Sequence, residues 1–240
     1  NIIYLLNAID KLPLSQENIF FILEGCQIRL NQSENELKNS KKKNGGNDNL
    51  LQEIVYRIVL ILDCLAKDNM EIKNAIVDNI SLEKILEFTL KFPHIFIRNV
   101  SSLFLSLLQI QDEQENESNT LYLTKFEVLF PLFEKLYIEM KSLYLIKILK
   151  IFILLTQVPS FITYFDKEIQ IDEQNSIIND IMSMAEANNN KLLIHVLTFS
   201  YLIIKKDIEK SINYIDFYIN LLGKGSLDGN YIDYDNDALE

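Results

Sequence analysis

The side chains best suited to nucleophilic, general-base or metal chemistry in this 240-residue chain are two histidines, two cysteines and 34 carboxylates. A metal site needs several His, Cys, Asp or Glu side chains converging. Neither His94 nor His195 has a second His, Cys or carboxylate at ligand spacing, and both read as partly exposed helix residues. A cysteine nucleophile needs a base within reach. Cys26 and Cys64 have no histidine nearby in sequence and no C-x-x-C spacing; in apolar segments such thiols serve as small core residues. The run GKGSLDG at residues 223–229 has the composition of a phosphate-binding loop, but it follows a helical pattern rather than a strand and lacks the required spacing. The carboxylates are spread over polar faces, as on solvated helices. The expectation is a non-enzymatic protein, with no catalytic residue, no cofactor and no metal site.

Composition narrows the class further. A formal net charge of −11 repels phosphate backbones and argues against nucleic acid as a ligand; a basic partner is compatible with it. Apolar residues make up 48% of the chain, ample for a continuous core, while only four prolines and six glycines occur, too few for the turns of an all-β sandwich. The most apolar stretch, 143–165, is interrupted by Lys147, Lys150 and Pro159, so no transmembrane segment is expected. Two cysteines without a disulfide framework fit a reducing, cytoplasmic compartment. The chain opens at Asn1 inside an apolar helical pattern, which reads as a fragment of a longer protein.

The elements that would position these residues read as helices throughout. Residues 2–9 look like the end of one helix, and Pro13 and Ser15 mark a restart. Ser15 can cap a helix through Gln32 with a core stripe of Ile19, Phe20, Ile22 and Leu23. Residues 33–48, polar and containing Gly45 and Gly46, read as a flexible inserted loop whose Lys41–Lys43 triplet is solvated. Leu51, Ile54, Val55, Ile58, Val59, Leu62 and Leu65 then follow helical spacing. Asn69 and Ser81 are N-cap candidates for two short helices, and Pro93 suits the first turn of the next. Beyond a polar loop at 111–119, Thr124 and Glu127 have capping-box spacing, and Pro131 should break the chain before a helix at 132–140. A polar insert is expected at 166–175 and a break at 188–190. Gly223 ends a last helix from Ile208, leaving 223–240 as an acidic, poorly ordered tail.

Four leucine-rich helices, at 51–67, 94–109, 142–157 and 191–206, recur at intervals of roughly 43 to 48 residues, within the range of armadillo and HEAT repeats. Residues 64–109 carry the resemblance. They offer a short first helix closing on Ile76 and Val77, a second with Leu82, Ile85 and Leu86, and a long third at 94–109. This order resembles one complete armadillo repeat. The departure is at the break before Ser81, where the family commonly has glycine and Asn79 would have to take the left-handed turn. The resemblance implies an all-α, right-handed α-solenoid of about four units over residues 1–222.

In armadillo proteins the third helices line a concave groove side by side. Aligning the four long helices on their closing motifs, with a one-residue drift, puts Tyr56, Asn99, Lys147 and His195 in one polar column and Leu60, Leu103, Ile151 and Phe199 in an apolar column one turn later. The first column is the candidate partner-binding face, a ladder able to hydrogen-bond an extended peptide. Import receptors for nuclear localisation signals, which share the fold, use Trp and Asn four residues apart on the third helix. This chain has no tryptophan, and those positions in its first long helix hold Leu60 and Cys64, so recognition of that kind is not expected. The implied function is a protein–protein interaction scaffold that binds a basic or extended segment of a protein partner, or stacks as a subunit of a larger assembly. Two rivals are the regulatory or targeting region of a larger enzyme and a structural oligomerisation domain. The second of these predicts an exposed apolar patch on a terminal unit.

Overall fold

The computed structural model describes residues 15–40, 48–67, 69–110, 117–167, 176–184 and 190–206, and every element among them is helical. In chain order these are α1 (Gln16–Ser40), α2 (Asp48–Ala66), α3 (Met70–Asn79), α4 (Leu82–Lys91), α5 (Pro93–Leu108), α6 (Glu117–Thr124), a 3-10 turn (Glu127–Leu129), α7 (Phe130–Leu155), α8 (Phe161–Phe165), α9 (Ile177–Ser183) and α10 (Asn190–Lys206). The protein is all-α. Among the described residues no helix is long and apolar enough to cross a membrane. The expected opening helix at 2–9, Lys41–Lys43, the insert at 168–175, the last helix from Ile208 and the tail at 223–240 lie outside the described residues.

The chain divides into two compact units, Asn1–Phe161 and Ile162–Glu240. In the first unit α2 packs on α5 and α5 on α7, while α1 packs on α2 and α4 bridges α5 and α7. The core they share includes Val55, Val59 and Leu62 of α2, Val100, Phe104 and Leu107 of α5, and Phe133, Leu136 and Phe152 of α7, all fully buried. Phe104 anchors the α5–α7 contact. Its ring meets Phe133 edge-on at 5.1 Å and Phe126 at 6.4 Å between centroids, geometries that add about 0.5–1.5 kcal/mol each beyond burial. In the second unit α9 packs on α10 through buried Ile178, Ile181, Val196 and Phe199.

Several boundaries follow local chemistry. Asn69 caps α3, its Oδ1 accepting the Ile72 N–H at 3.0 Å, and Pro93 and Pro131 sit in the first turns of α5 and α7, where a missing N–H costs nothing. Ser176 caps α9 by accepting the Asn179 N–H at 3.2 Å. Several expectations need correcting. Ser81 stands at the N-cap position of α4 but makes no side-chain cap; its backbone N–H donates to Gln27 Oε1 of α1 at 2.9 Å, which ties the start of α4 to α1. Asn79 does not make a left-handed turn: it ends α3 as a helical residue, its amide donating to Ala75 O, and the extended Ile80 (φ −110°, ψ 130°) redirects the chain. Thr124 closes α6 by donating to Leu121 O, so it forms no capping box with Glu127, which begins the 3-10 turn. Helix α6 also takes in 117–119, expected as loop.

The largest correction concerns α1. Helix α1 runs on to Ser40, well into the segment expected as a loop, and 41–47 lie outside the described residues. The stripe explains it. Ile19, Leu23, Cys26, Leu30 and Ser33 are buried at helical spacing, and Lys84 Nζ of α4 bonds Glu34 and Asn31 at 2.6 Å each. Phe20, expected in the core, is instead exposed. Helix α7 contains its own break: Tyr144 leaves the helical region (φ −127°, ψ 20°), separating two helices joined end to end, near the boundary expected between 140 and 142.

Candidate functional site

Burial along the long helices fixes which positions are equivalent. Val55, Val59 and Leu62 of α2 stand in the pattern of Val100, Phe104 and Leu107 of α5, and of Ile148, Phe152 and Leu155 of α7. In α10 the same pattern reads Val196, Ser200 and Ile203. Asn99, Lys147 and His195 each directly precede the first of these buried residues and are each half-buried. They occupy equivalent positions. Tyr56 does not: the residue of α2 in that register is Ile54, half-buried, and Tyr56 lies two positions further on. Alignment on closing motifs slipped here because α2 carries its apolar stripe into Leu65 and Ala66, both buried. For the same reason Leu60 is half-buried, whereas Leu103, Ile151 and Phe199 are in the core.

Asn99 and Lys147 belong to the first unit, on the packed pair α5 and α7. His195 belongs to the second, its Nδ1 2.7 Å from Lys191 O on the preceding turn of α10.

Between α2 and α5 the structure adds a polar cluster that spacing did not suggest. Asp63, 8% exposed, accepts hydrogen bonds from Ser102 Oγ and Ser106 Oγ at 2.9 Å each, and Lys67 Nζ stands 3.6 Å away. Ser102 and Ser106 are one turn apart on a helix face, so the legible signal was a pair of hydroxyls on an otherwise leucine-rich helix. A second link holds α3 to the end of α5: the ammonium of buried Lys73 donates to Gln109 O, which satisfies a helix-terminal carbonyl. Burial lowers the pKa of Lys73.

The residues considered for chemistry are apart from this face. Cys26 is a buried free thiol on α1, its pKa pushed up to about 11 by burial, and so it is held as the un-ionised thiol. Cys64 is half-buried on α2 and outside any disulfide, and His94 is exposed at the start of α5. Among the described residues no group of three His, Cys, Asp or Glu side chains could hold a metal ion. The GKGSLDG run lies outside the described residues.

A different surface is apolar. On α1 the exposed Phe20, Phe21 and Ile28, with Glu17, Glu24 and Gln27 and with Asn79 of α3, line an open cavity of about 410 Å³. Phe21 is 65% exposed, an uncommon position for a phenylalanine in a surface that meets only water.

No protein-family model matches the chain, and no curated protein or solved structure matches it either.

Proposed function

We propose that this chain is a non-enzymatic protein-binding module, an armadillo-like solenoid of about four units that takes a partner segment along the row formed by its long helices. The observation that carries the reading is the recurring burial register of α5, α7 and α10, with Asn99, Lys147 and His195 at the same half-buried position. Two short helices followed by a long one, α3, α4 and α5, support the same architecture, since units of this kind bury their apolar faces only against neighbours. Recognition is additive: several contacts each contribute modestly, and a rigid helical row loses little entropy on binding. The free thiols of Cys26 and Cys64 fit the reducing cytoplasm, where we place the protein. The test compares the proteins captured from cell extract by the wild-type chain and by Asn99→Ala/Lys147→Ala/His195→Ala, after circular dichroism shows equal helicity. Loss of the same partner from the variant alone supports the row; unchanged capture refutes it.

The apolar face of α1 favours a second reading, a structural assembly surface. In that case Phe20→Ser/Phe21→Ser lowers the sedimenting mass, and a chain already monomeric before substitution refutes it.

A further inference from the structure

Acidic residues are unevenly placed. Asp and Glu number 34 in 240 residues, so stretches of fifteen or more ordinarily carry some. Yet none occurs in α5 (Pro93–Leu108), none in α7 after Glu139, and none in α10 (Asn190–Lys206). These are three of the four helices that share the burial register. Their charged residues are cations: Arg98 on α5, Lys141, Lys147 and Lys150 on α7, and Lys191, Lys205 and Lys206 on α10. The carboxylates sit on other elements, such as Glu71 and Asp78 on α3, Glu83 and Glu87 on α4, and Glu134 and Glu139 on the first part of α7. Helix α2 does carry two inward of its first turn, but Glu53 is paired with Arg57 and Asp63 is engaged by two serines and Lys67.

In the first unit, α5 and α7 pack side by side. Arg98 is exposed there, and Asn99, Ser102, Lys147 and Lys150 are half-buried. Among the described residues Arg98, Lys147 and Lys150 make no hydrogen bond and no ion pair. A chain of net charge −11 has carboxylates to spare, yet these three cations, carried by two packed helices, engage none among the described residues and are available to a ligand. At physiological salt the screening length is about 8 Å; a segment lying on the row responds to these cations rather than to the distant net charge.

We propose that the α5–α7 row binds an acidic, Asp/Glu-rich peptide segment, held by Arg98, Lys147 and Lys150 and oriented by the Asn99 amide. This rests on the binding-module reading and reverses the partner charge that overall composition suggests. A peptide is favoured over nucleic acid because a polyphosphate extends far beyond the row and meets the chain's overall negative charge.

The test uses fluorescein-labelled deca-glutamate, deca-lysine and a single-stranded oligonucleotide, with anisotropy read at low salt and again at high salt. Three proteins are compared: wild type, Arg98→Gln/Lys147→Gln/Lys150→Gln, and the charge-matched control Arg29→Gln/Lys91→Gln/Lys135→Gln, whose three positions are exposed. Circular dichroism establishes that all three fold. The expected result is salt-sensitive binding of deca-glutamate by wild type and control, weakened about tenfold in the row variant, as loss of three modest charge contacts implies. Equal weakening in the control overturns the location. Preference for deca-lysine, or for the oligonucleotide, overturns the ligand class, and absence of binding by all three probes overturns the proposal. The captured partner of the wild-type chain tests the binding module separately: its retention there with no deca-glutamate binding here leaves that reading standing and removes only the acidic ligand.

Discussion

Removing two serines should cost more than removing the two serines and the carboxylate they serve. Asp63 is 8% exposed and accepts from Ser102 and Ser106 at 2.9 Å each. Lys67 is 3.6 Å away and itself largely solvated, so it contributes little. A hydrogen bond to a charged acceptor contributes about 1.5–3 kcal/mol when solvent is excluded. Both serines are half-buried, and water recovers part of that, so the two bonds together amount to about 2 kcal/mol. Ser102→Ala/Ser106→Ala leaves a nearly buried carboxylate without its donors and should destabilise by about 2–3 kcal/mol. Adding Asp63→Leu removes the stranded charge and supplies apolar contact between α2 and α5, so the triple variant should lose about 1 kcal/mol or less. Urea unfolding followed by far-UV circular dichroism measures this, because the chain has no tryptophan to report. The comparison is of midpoints at unchanged m-value. A triple variant at least as unstable as the serine pair would refute the account: the cluster would then be a surface feature, with α2 and α5 held by their apolar contacts alone.

Two further outcomes follow from α1. Gly25 lies exposed in the interior of this helix, with nothing within 4 Å of where a Cβ would stand, so Gly25→Ala should raise stability by about 0.5–1 kcal/mol in the same unfolding assay. Burial holds the Cys26 pKa near 11 against 9.0 for a free thiol. Between those pH values the unfolded chain has released a proton that the folded chain still binds, so the thiol's contribution to stability is intact below pH 9 and is lost as pH rises toward 11. Unfolding measured at pH 8 and pH 11 should show a smaller alkaline loss for Cys26→Ala than for wild type, by about 2 kcal/mol; equal losses refute it.

Helix content and most boundaries were legible because periodicity reports burial. The apolar spacing from Leu51 to Leu65, the cap at Asn69 and the first-turn Pro93 depend on neighbours within a few residues, which a sequence displays directly. Continuation of α1 to Ser40 was not legible: polar Ser33 is buried and Glu34 is tied to Lys84, fifty residues away. The bond from the Ser81 N–H to Gln27 of α1 was out of reach of a local reading for the same reason. Asn99, Lys147 and His195 share one burial register and Tyr56 stands two positions out of it, because closing motifs mark where a helix stops rather than which face it buries. The charge of the face was readable but hidden by the average: a net value of −11 says nothing about which helices carry it.

The two candidate surfaces of the first unit have opposite character, and that separates their ligands. Around the α1 cavity the apolar Phe20, Phe21 and Ile28 are flanked by Glu17 and Glu24, so a carboxylate-rich segment is repelled there while an apolar face with basic flanks is accommodated. Helix α5 and the second half of α7 carry cations and no carboxylate of their own, and the preference is reversed. Specificity of this kind comes as much from repulsion at the wrong surface as from attraction at the right one. Phe20→Ser/Phe21→Ser should therefore leave deca-glutamate binding unchanged. Neutralising the three row cations should leave any self-association through α1 unchanged. Binding of deca-glutamate weakened by the phenylalanine substitutions would mean that the acidic probe reaches α1 despite Glu17 and Glu24, and that local charge does not sort ligands between these surfaces.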